Sequence, residues 1–322
     1  MKRTASPSSL IRVGIDLGGT KTEGIALGAA GEERARVRVP TPRGDYGATV
    51  RTIADLVARL ESATGSAGAT VGIGIPGAVS PATGLVKNAN STWLIGKPFD
   101  QDMAEALKRP VRIENDANCL AVSEAADGAG AGCGVVFAAI LGTGCGAGIV
   151  VDGHPLRGRN AIGGEWGHNP LPWPTDEERP GPACYCGKSG CLETFVSGPA
   201  VTADHRRITG AHMTAEAIAA LAERGDAAAG DTLGRLVDRL ARGLAGIVNV
   251  LDPDVIVLGG GLSNLEFLYD ALPPAIARWA FTDSLDTPIR RAVHGDSSGV
   301  RGAAWLWRPE ETTVNARSYT PD

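Results

Sequence analysis

Leu10-Ile-Arg-Val-Gly-Ile15, Asp16-Leu17-Gly18-Gly19-Thr20-Lys21 and Thr22-Glu-Gly-Ile-Ala-Leu27 follow one another without a break. Two apolar segments joined by a glycine turn predict a β-hairpin. The paired glycines leave backbone N–H groups uncovered at the turn, where an anion can sit. Such a turn is common, so it decides little alone. It recurs downstream. Val135 to Leu141 is a strongly apolar run that stops at Gly142-Thr143-Gly144-Cys145-Gly146-Ala147-Gly148, and Ile149-Val-Val151 resumes. The echo predicts an internal duplication of one fold unit. A dinucleotide-binding reading is weaker, because a helix should follow the glycines there and a strand follows here. A third strand, Val255 to Leu258, runs into Gly259-Gly260-Gly261-Leu-Ser263. Three strands ending in glycine turns, in this order, predict an α/β chain of two lobes holding a nucleotide between them.

The rest of the chain supports that class. Val50, Ile53, Val57 and Leu60 give Thr49 to Ala63 a helical apolar face. Val71 to Ile75 reads as a strand ending in Pro76-Gly77. The polar stretch after it carries Asn88, Asn90 and Ser91 near Trp93, and suits a hydroxylated ligand and plain surface equally. Val111 to Glu114 is a short strand. Asn115-Asp116-Ala-Asn118 follows, and then a helical run from Cys119 to Ala126. Asp and Asn at a helix start are ordinary caps. They also stand at the carboxyl end of a strand, where open α/β folds bind ligands. Thr232 to Leu251 is a long helix with a wide apolar face, ended by Asp252-Pro253.

Composition excludes several classes. The 322 residues carry a net charge of −5 and lack the basic patch of a nucleic-acid binder. No apolar run is long enough to span a bilayer. The start of the chain, Met1 to Ser9, is short and polar, lacks an apolar signal core and reads as disordered, as does the tail from Glu310 onward. The expectation is a cytoplasmic protein with no nucleic-acid and no membrane partner. Six cysteines in this length do not make a disulfide scaffold.

Three of those cysteines cluster. Glu165-Trp-Gly-His168 is followed by a proline-rich loop and by Cys184-Tyr-Cys186-Gly187-Lys-Ser-Gly190-Cys191-Leu-Glu193. His168, Cys184, Cys186 and Cys191 supply four soft ligands, the number a closed tetrahedral zinc site takes. Three clustered cysteines cannot all pair among themselves, and a Cys-x-Cys disulfide is strained. Four protein ligands leave no open position, so the zinc is expected to be structural. Closing the loop brings Glu165 and Glu193, just outside the ligand set, toward one place. Cys119, Cys133 and Cys145 read as reduced, buried thiols.

These residues together resemble the ROK family of sugar kinases, within the actin–hexokinase–Hsp70 superfamily. The likeness runs from about Arg12 to Trp307, and the Glu-x-x-His and Cys-x-Cys-Gly-x-x-Gly-Cys-x-Glu block is its most specific part. Within the family the sequence looks most similar to bacterial fructokinases of the manno(fructo)kinase type, in Val86 to Trp93, Glu165 to Pro172 and His294 to Ala304. N-acetylglucosamine kinases of the family usually place a methionine after the histidine, where this chain has Asn169.

The resemblance implies a duplicated, actin-like (ribonuclease H-like) fold with a ligand cleft between lobes. It implies lobes of about 1–118 plus 296–322 and 119–295, and a homodimer. Asp116 matches the catalytic base. Gly77, Asn90, Asn115, Glu165, His168 and Glu193 match sugar-contacting positions, so that His168 serves zinc with one ring nitrogen and a sugar hydroxyl with the other. Asp16, Gly18, Gly19, Thr20 and Lys21 match the phosphate and magnesium loop. Gly142, Thr143 and Gly144 match the second phosphate loop, and Gly259, Gly260 and Gly261 the adenosine loop. ATP, Mg²⁺ and structural Zn²⁺ are the implied cofactors. The expected activity is ATP-dependent phosphorylation of fructose, and of mannose, at the 6-hydroxyl. The alternatives are a glucokinase or N-acetylhexosamine kinase, or, at less weight, a sugar-responsive repressor. About nine residues before the first strand leave a repressor no room for a helix-turn-helix.

Overall fold

The structure is a computed structural model that describes residues 10–308 and Glu311. The expectations for Met1 to Ser9, and for the tail apart from Glu311, lie outside the described residues. The described chain falls into two compact units. One gathers residues within Met1–Asp127, His154–Gly163 and Asp296–Asp322; the other holds Gly128–Gly153 and Gly164–Gly295.

In chain order the first unit opens with β1 (Arg12–Leu17), β2 (Lys21–Leu27) and β3 (Glu33–Pro40), followed by α1 (Tyr46–Thr64) and β4 (Thr70–Ile75). The short strands β5 (Ala78–Val79) and β6 (Val86–Lys87) pair with each other. Then come α2 (Phe99–Leu107), β7 (Val111–Asn115) and α3 (Asp116–Asp127). The second unit supplies β8 (Val135–Leu141) and β9 (Cys145–Val151). The two-residue β10 (His154–Pro155) returns to the first. The second unit continues with α4 (Glu193–Val196), α5 (Gly198–Thr209), α6 (Ala215–Glu223), α7 (Ala227–Leu251), β11 (Val255–Gly259), α8 (Phe267–Ala277) and β12 (Ile289–Arg291). Helix α9 (Ser298–Trp305) closes the first.

The duplication is realised as topology. In the first sheet the order is β3-β2-β1-β4-β7, with β1 and β2 antiparallel and β4 and β7 parallel to β1 and β4. In the second, β9 runs antiparallel to β8, β11 parallel to β8, and β12 parallel to β11. A hairpin, then parallel strands added on its first strand's free side, is the same plan twice.

Helix α1 begins at Tyr46 because the Asp45 carboxylate accepts from the Ala48 N–H, and ends where Gly65 takes φ 62°. Its Ile53, Leu56, Val57 and Leu60 are buried in the first core. Helix α9 lies so close to the sheet and to α3 that side chains are excluded. A Cβ on Gly72 would sit 1.8 Å from the Ala303 carbonyl oxygen, and one on Gly302 only 1.6 Å from that of Cys119. In the second unit Leu233, Leu236, Leu240, Leu244 and Val248 form the buried stripe of α7.

Three elements begin earlier than their apolar patterns predict. Strand β9 resumes at Cys145, not Ile149, and Gly146 and Gly148 lie inside it. Pairing with β8 runs through both, Gly146 opposite Ile140 and Gly148 opposite Ala138, and the Gly164 carbonyl accepts from the Ala147 N–H at 3.1 Å. Helix α7 starts at Ala227, where Asp226 caps it, rather than at Thr232. Helix α3 starts at Asp116 rather than Cys119. Cys119 and Cys145 are free and buried as expected, while Cys133 is free but only half-buried.

Candidate functional site

In the first unit the strand register draws a charged row across one face of the sheet. Arg38 pairs with Glu23, Glu23 with Asp16, Asp16 with Gly74, and Gly74 with Glu114. Directly opposed residues share a face. Two members of the row have strong partners. Glu23 is 4 % exposed and receives Arg36 and Arg38, and Arg36 also donates to the Ser297 hydroxyl at 3.1 Å. Glu114 accepts from Asn118 Nδ2 at 3.0 Å and pairs with Arg157. Asp16 stands between them with its carboxylate against Gly299 and Gly74. Its pKa is raised from 3.8 to about 6, first by burial and then by the neighbouring charges of Asp116 and Glu23, against the opposing pull of Lys21 and Arg38. A carboxylate short of positive charge, at the foot of a glycine turn, is chemically suited to a divalent cation.

The turn itself is held by Gly18 N–H to Lys21 C=O at 3.1 Å and by the Thr41 hydroxyl, which donates to the Gly18 carbonyl at 2.8 Å. Gly19, Thr20 and Lys21 are exposed. A side chain on Gly18 would meet the Lys21 carbonyl at 2.7 Å, whereas Gly19 faces open space.

Asp116 is exposed at the first residue of α3, where the helix N-terminus favours a carboxylate. Its Oδ1 and the Asn115 Oδ1 both accept from the Ala117 N–H, at 2.8 and 2.9 Å. The capping reading of Asn115 is therefore realised. Its Nδ2 donates to the Gly77 carbonyl at 3.3 Å, and Asn90 N–H donates to the Pro76 carbonyl at 3.0 Å. Gly77 packs on Ala89 with no room for a Cβ, which would lie 2.8 Å from the alanine methyl. Gly77, Asn90, Asn115 and Asp116 are thus brought to one end of β4 and β7.

The second unit gathers the other candidates. Gly142, Thr143 and Gly261 line a cavity of about 890 Å³, large enough for a nucleotide. Gly260 takes φ 81° and a Cβ there would meet the Leu141 carbonyl at 2.6 Å, so the two glycine loops touch through backbone. Arg206, Arg207, His212 and Glu216 also line the cavity. They come from α5, the loop after it and the start of α6, which the sequence reading passed over; only the Ser197 and Thr214 helix caps mark the region. Glu193 Oε2 accepts from the Cys145 N–H at 2.9 Å, and a Cβ on Gly144 would lie 2.7 Å from that oxygen. This contact ties Glu193 to the second glycine loop.

The cysteine finger is built on the sheet of the same unit. Trp166 is 4 % exposed, donates to the Gly146 carbonyl at 2.9 Å and meets Phe137 edge-on. Gly167 lies on the Cys145 carbonyl, so the short 3₁₀ turn that carries His168 is fixed. Gly187 and Gly190, at φ 86° and 73°, turn the chain so that Cys184, Cys186 and Cys191 face inward. Behind the finger, Arg242 donates to the Pro172 and Trp173 carbonyls and to Glu178, which Arg239 also reaches at 2.8 Å. These contacts clamp the proline-rich loop onto α7.

The ligand atoms of His168, Cys184, Cys186 and Cys191 lie within 4.8 Å of one another. Cys184 Sγ is 3.6 Å from His168 Nδ1, and Cys186 Sγ is 3.6 Å from Cys191 Sγ. Tetrahedral zinc with bonds of about 2.0–2.3 Å sets neighbouring ligands about 3.5–3.8 Å apart. The donor set and its spacing fit the ion. Glu165 stands exposed at the start of the His168 turn. Among the described residues, no helix is long and apolar enough to cross a membrane.

The family model described as ROK matches residues 12–310. The sequence is 40 % identical over 302 residues to the N-acetyl-D-glucosamine kinase of Haemophilus influenzae, covering 91 % of this chain and 98 % of that protein. Among solved structures, the ROK hexokinase of Thermus thermophilus superposes with a TM-score of 0.82 at 33 % identity, covering 92 % of this chain and 97 % of that one. A ROK family glucokinase from Streptomyces griseus, in complex with glucose and AMPPNP, gives 0.72 at 28 % identity, over 92 % and 98 % of the two chains. The curated relative carries the name of the alternative expectation, an N-acetylhexosamine kinase, and not that of a fructokinase.

Proposed function

The chain belongs to the ROK family as a sugar kinase, and on that premise we propose that it transfers the terminal phosphoryl group of ATP to the 6-hydroxyl of N-acetyl-D-glucosamine. The identity of 40 % to a kinase of that name, along nearly the whole of both chains, carries the choice of sugar. A cytoplasmic homodimer is the setting this reading assigns it.

The first unit supplies the base and the charge. Asp116, exposed at a helix N-terminus, takes the proton of the attacking hydroxyl. Asn90, Asn115 and the Gly77 backbone hold neighbouring sugar hydroxyls. The turn from Gly18 to Lys21 offers N–H groups and an ammonium to phosphate oxygens. Asp16 would hold Mg²⁺, which when bound neutralises charge on those oxygens. The second unit supplies the nucleotide cavity with Gly142, Thr143, Gly144 and Gly259 to Gly261. Its Glu165, His168 and Glu193 take sugar hydroxyls. His168, Cys184, Cys186 and Cys191 would hold a structural Zn²⁺ that fixes the imidazole in place.

Fructose is the second reading, with mannose beside it. Asn169, where N-acetylglucosamine kinases of the family usually carry methionine, favours it, as does the likeness of Val86 to Trp93 to fructokinases. An ADP-release assay over N-acetylglucosamine, fructose, mannose and glucose decides. Turnover of N-acetylglucosamine is the expected result. Turnover of fructose with none of N-acetylglucosamine replaces the first reading by the second, and no turnover of any hexose removes both.

A further inference from the structure

The residue between the first two cysteines of the finger has no role so far. Tyr185 is 81 % exposed, yet its hydroxyl is turned toward protein. It lies 2.9 Å from His168 Nε2, and its ring meets the imidazole edge-on at 5.1 Å and 83°. The other ring nitrogen, Nδ1, faces the cysteine sulfurs. A metal on Nδ1 leaves the proton on Nε2, so that N–H donates and the tyrosine oxygen accepts. One protein hydroxyl therefore occupies the imidazole nitrogen to which a sugar hydroxyl is assigned above.

We propose that the Tyr185 hydroxyl is an intramolecular stand-in for a sugar hydroxyl on His168 Nε2, displaced when the hexose arrives, which makes Tyr185 a determinant of sugar affinity. The inference rests on the assignment of His168, Glu165 and Glu193 to the sugar. Its physics is competition between like groups. A hydroxyl tethered beside the imidazole has a high effective concentration there, and every sugar molecule must first undo that contact. The contact is cheap to undo, because an exposed hydrogen bond between neutral groups has a small net worth. The backbone of Tyr185 is fixed between two cysteine ligands, while its side chain can swing into solvent.

The test is Tyr185→Phe, which keeps the ring and its edge contact and removes the hydroxyl. The expected result is a KM for the sugar lowered about three- to tenfold, with kcat, the KM for ATP and zinc content unchanged. Sugar titration calorimetry without ATP should show the same gain in affinity, and Tyr185→Leu should reproduce it. An unchanged or raised sugar KM in a folded, zinc-loaded Tyr185→Phe overturns the proposal. Loss of zinc from that variant overturns it too, because the tyrosine would then be holding the metal site. A wild-type protein that phosphorylates no hexose removes the kinase reading instead; active wild type with an indifferent Tyr185→Phe removes this proposal alone.

Discussion

Asp16→Asn should stabilise the Mg²⁺-free protein while disabling it. The folded carboxyl titrates at about 6 against 3.8 for the free group. A raised carboxyl pKa means that the folded state holds the proton more tightly than the unfolded state. Between those two values the folded state binds more protons, so stability falls as pH rises, and the full cost is present above about pH 6. At about 1.36 kcal/mol per unit, the separation is worth about 3 kcal/mol. Asp16 is partly open to solvent at the strand end, which lowers the figure to about 2 kcal/mol. Asparagine keeps the shape and removes the charge. Urea unfolding of wild type and Asp16→Asn, in Mg²⁺-free buffer at pH 7.5 and pH 4.5, measures the difference. The variant should be more stable by about 2 kcal/mol at pH 7.5, with the gap shrinking by at least half in acid. Added Mg²⁺ should raise the melting temperature of the wild type and leave the variant's in place. Equal stabilities at pH 7.5, or a gap that ignores pH, would refute the reasoning that Asp16 is a desolvated carboxylate awaiting a cation.

Three further outcomes are expected. Asp116→Ala should lower kcat by about 10²–10⁴-fold while sugar binding survives weakly; unchanged turnover would mean that another group is the base. Cys184→Ala should lose zinc, and sugar binding and thermal stability should fall together; a native mass spectrum of the wild type with no bound metal would remove the zinc assignment. Glu178→Ala leaves Arg242, at 2 % side-chain exposure, with the more exposed Asp238 as its remaining carboxylate, and should cost about 2–3 kcal/mol in chemical denaturation, short of the full penalty of an unpaired buried charge. Arg242 and Arg239 outweigh burial and hold the Glu178 pKa down to about 2 from 4.5. Its stabilising contribution is therefore present above about pH 4.5 and lost as pH falls toward 2; a wild-type stability flat across that window would count against the clamp.

Much of the architecture was legible because its determinants are local. Hairpins announce themselves as apolar runs broken by glycine, and the cysteine ligands lie within a few residues of each other. Errors fell where distant chain decides local form. Gly146 and Gly148 look like turn residues, yet they pair with Ile140 and Ala138 inside the second sheet. Asn115 reads as cap or ligand group alike, and the structure gives its oxygen to the helix and its nitrogen to Gly77. Arg206, His212 and Glu216 carried no pattern of their own, and they matter only because α5 and α6 stand beside the second glycine loop.

The sequence by itself determined the duplicated hairpins, the glycine loops and the ligand set of the finger, because periodicity, turn chemistry and ligand type are properties of neighbouring residues. The tertiary structure alone decided that Glu23, Asp16 and Glu114 share one face of a sheet, with Asp16 the member left short of a cation. It alone placed the Tyr185 hydroxyl on the outer nitrogen of His168. Strand register and side-chain direction come from pairing between segments far apart in the chain, and no local pattern encodes them.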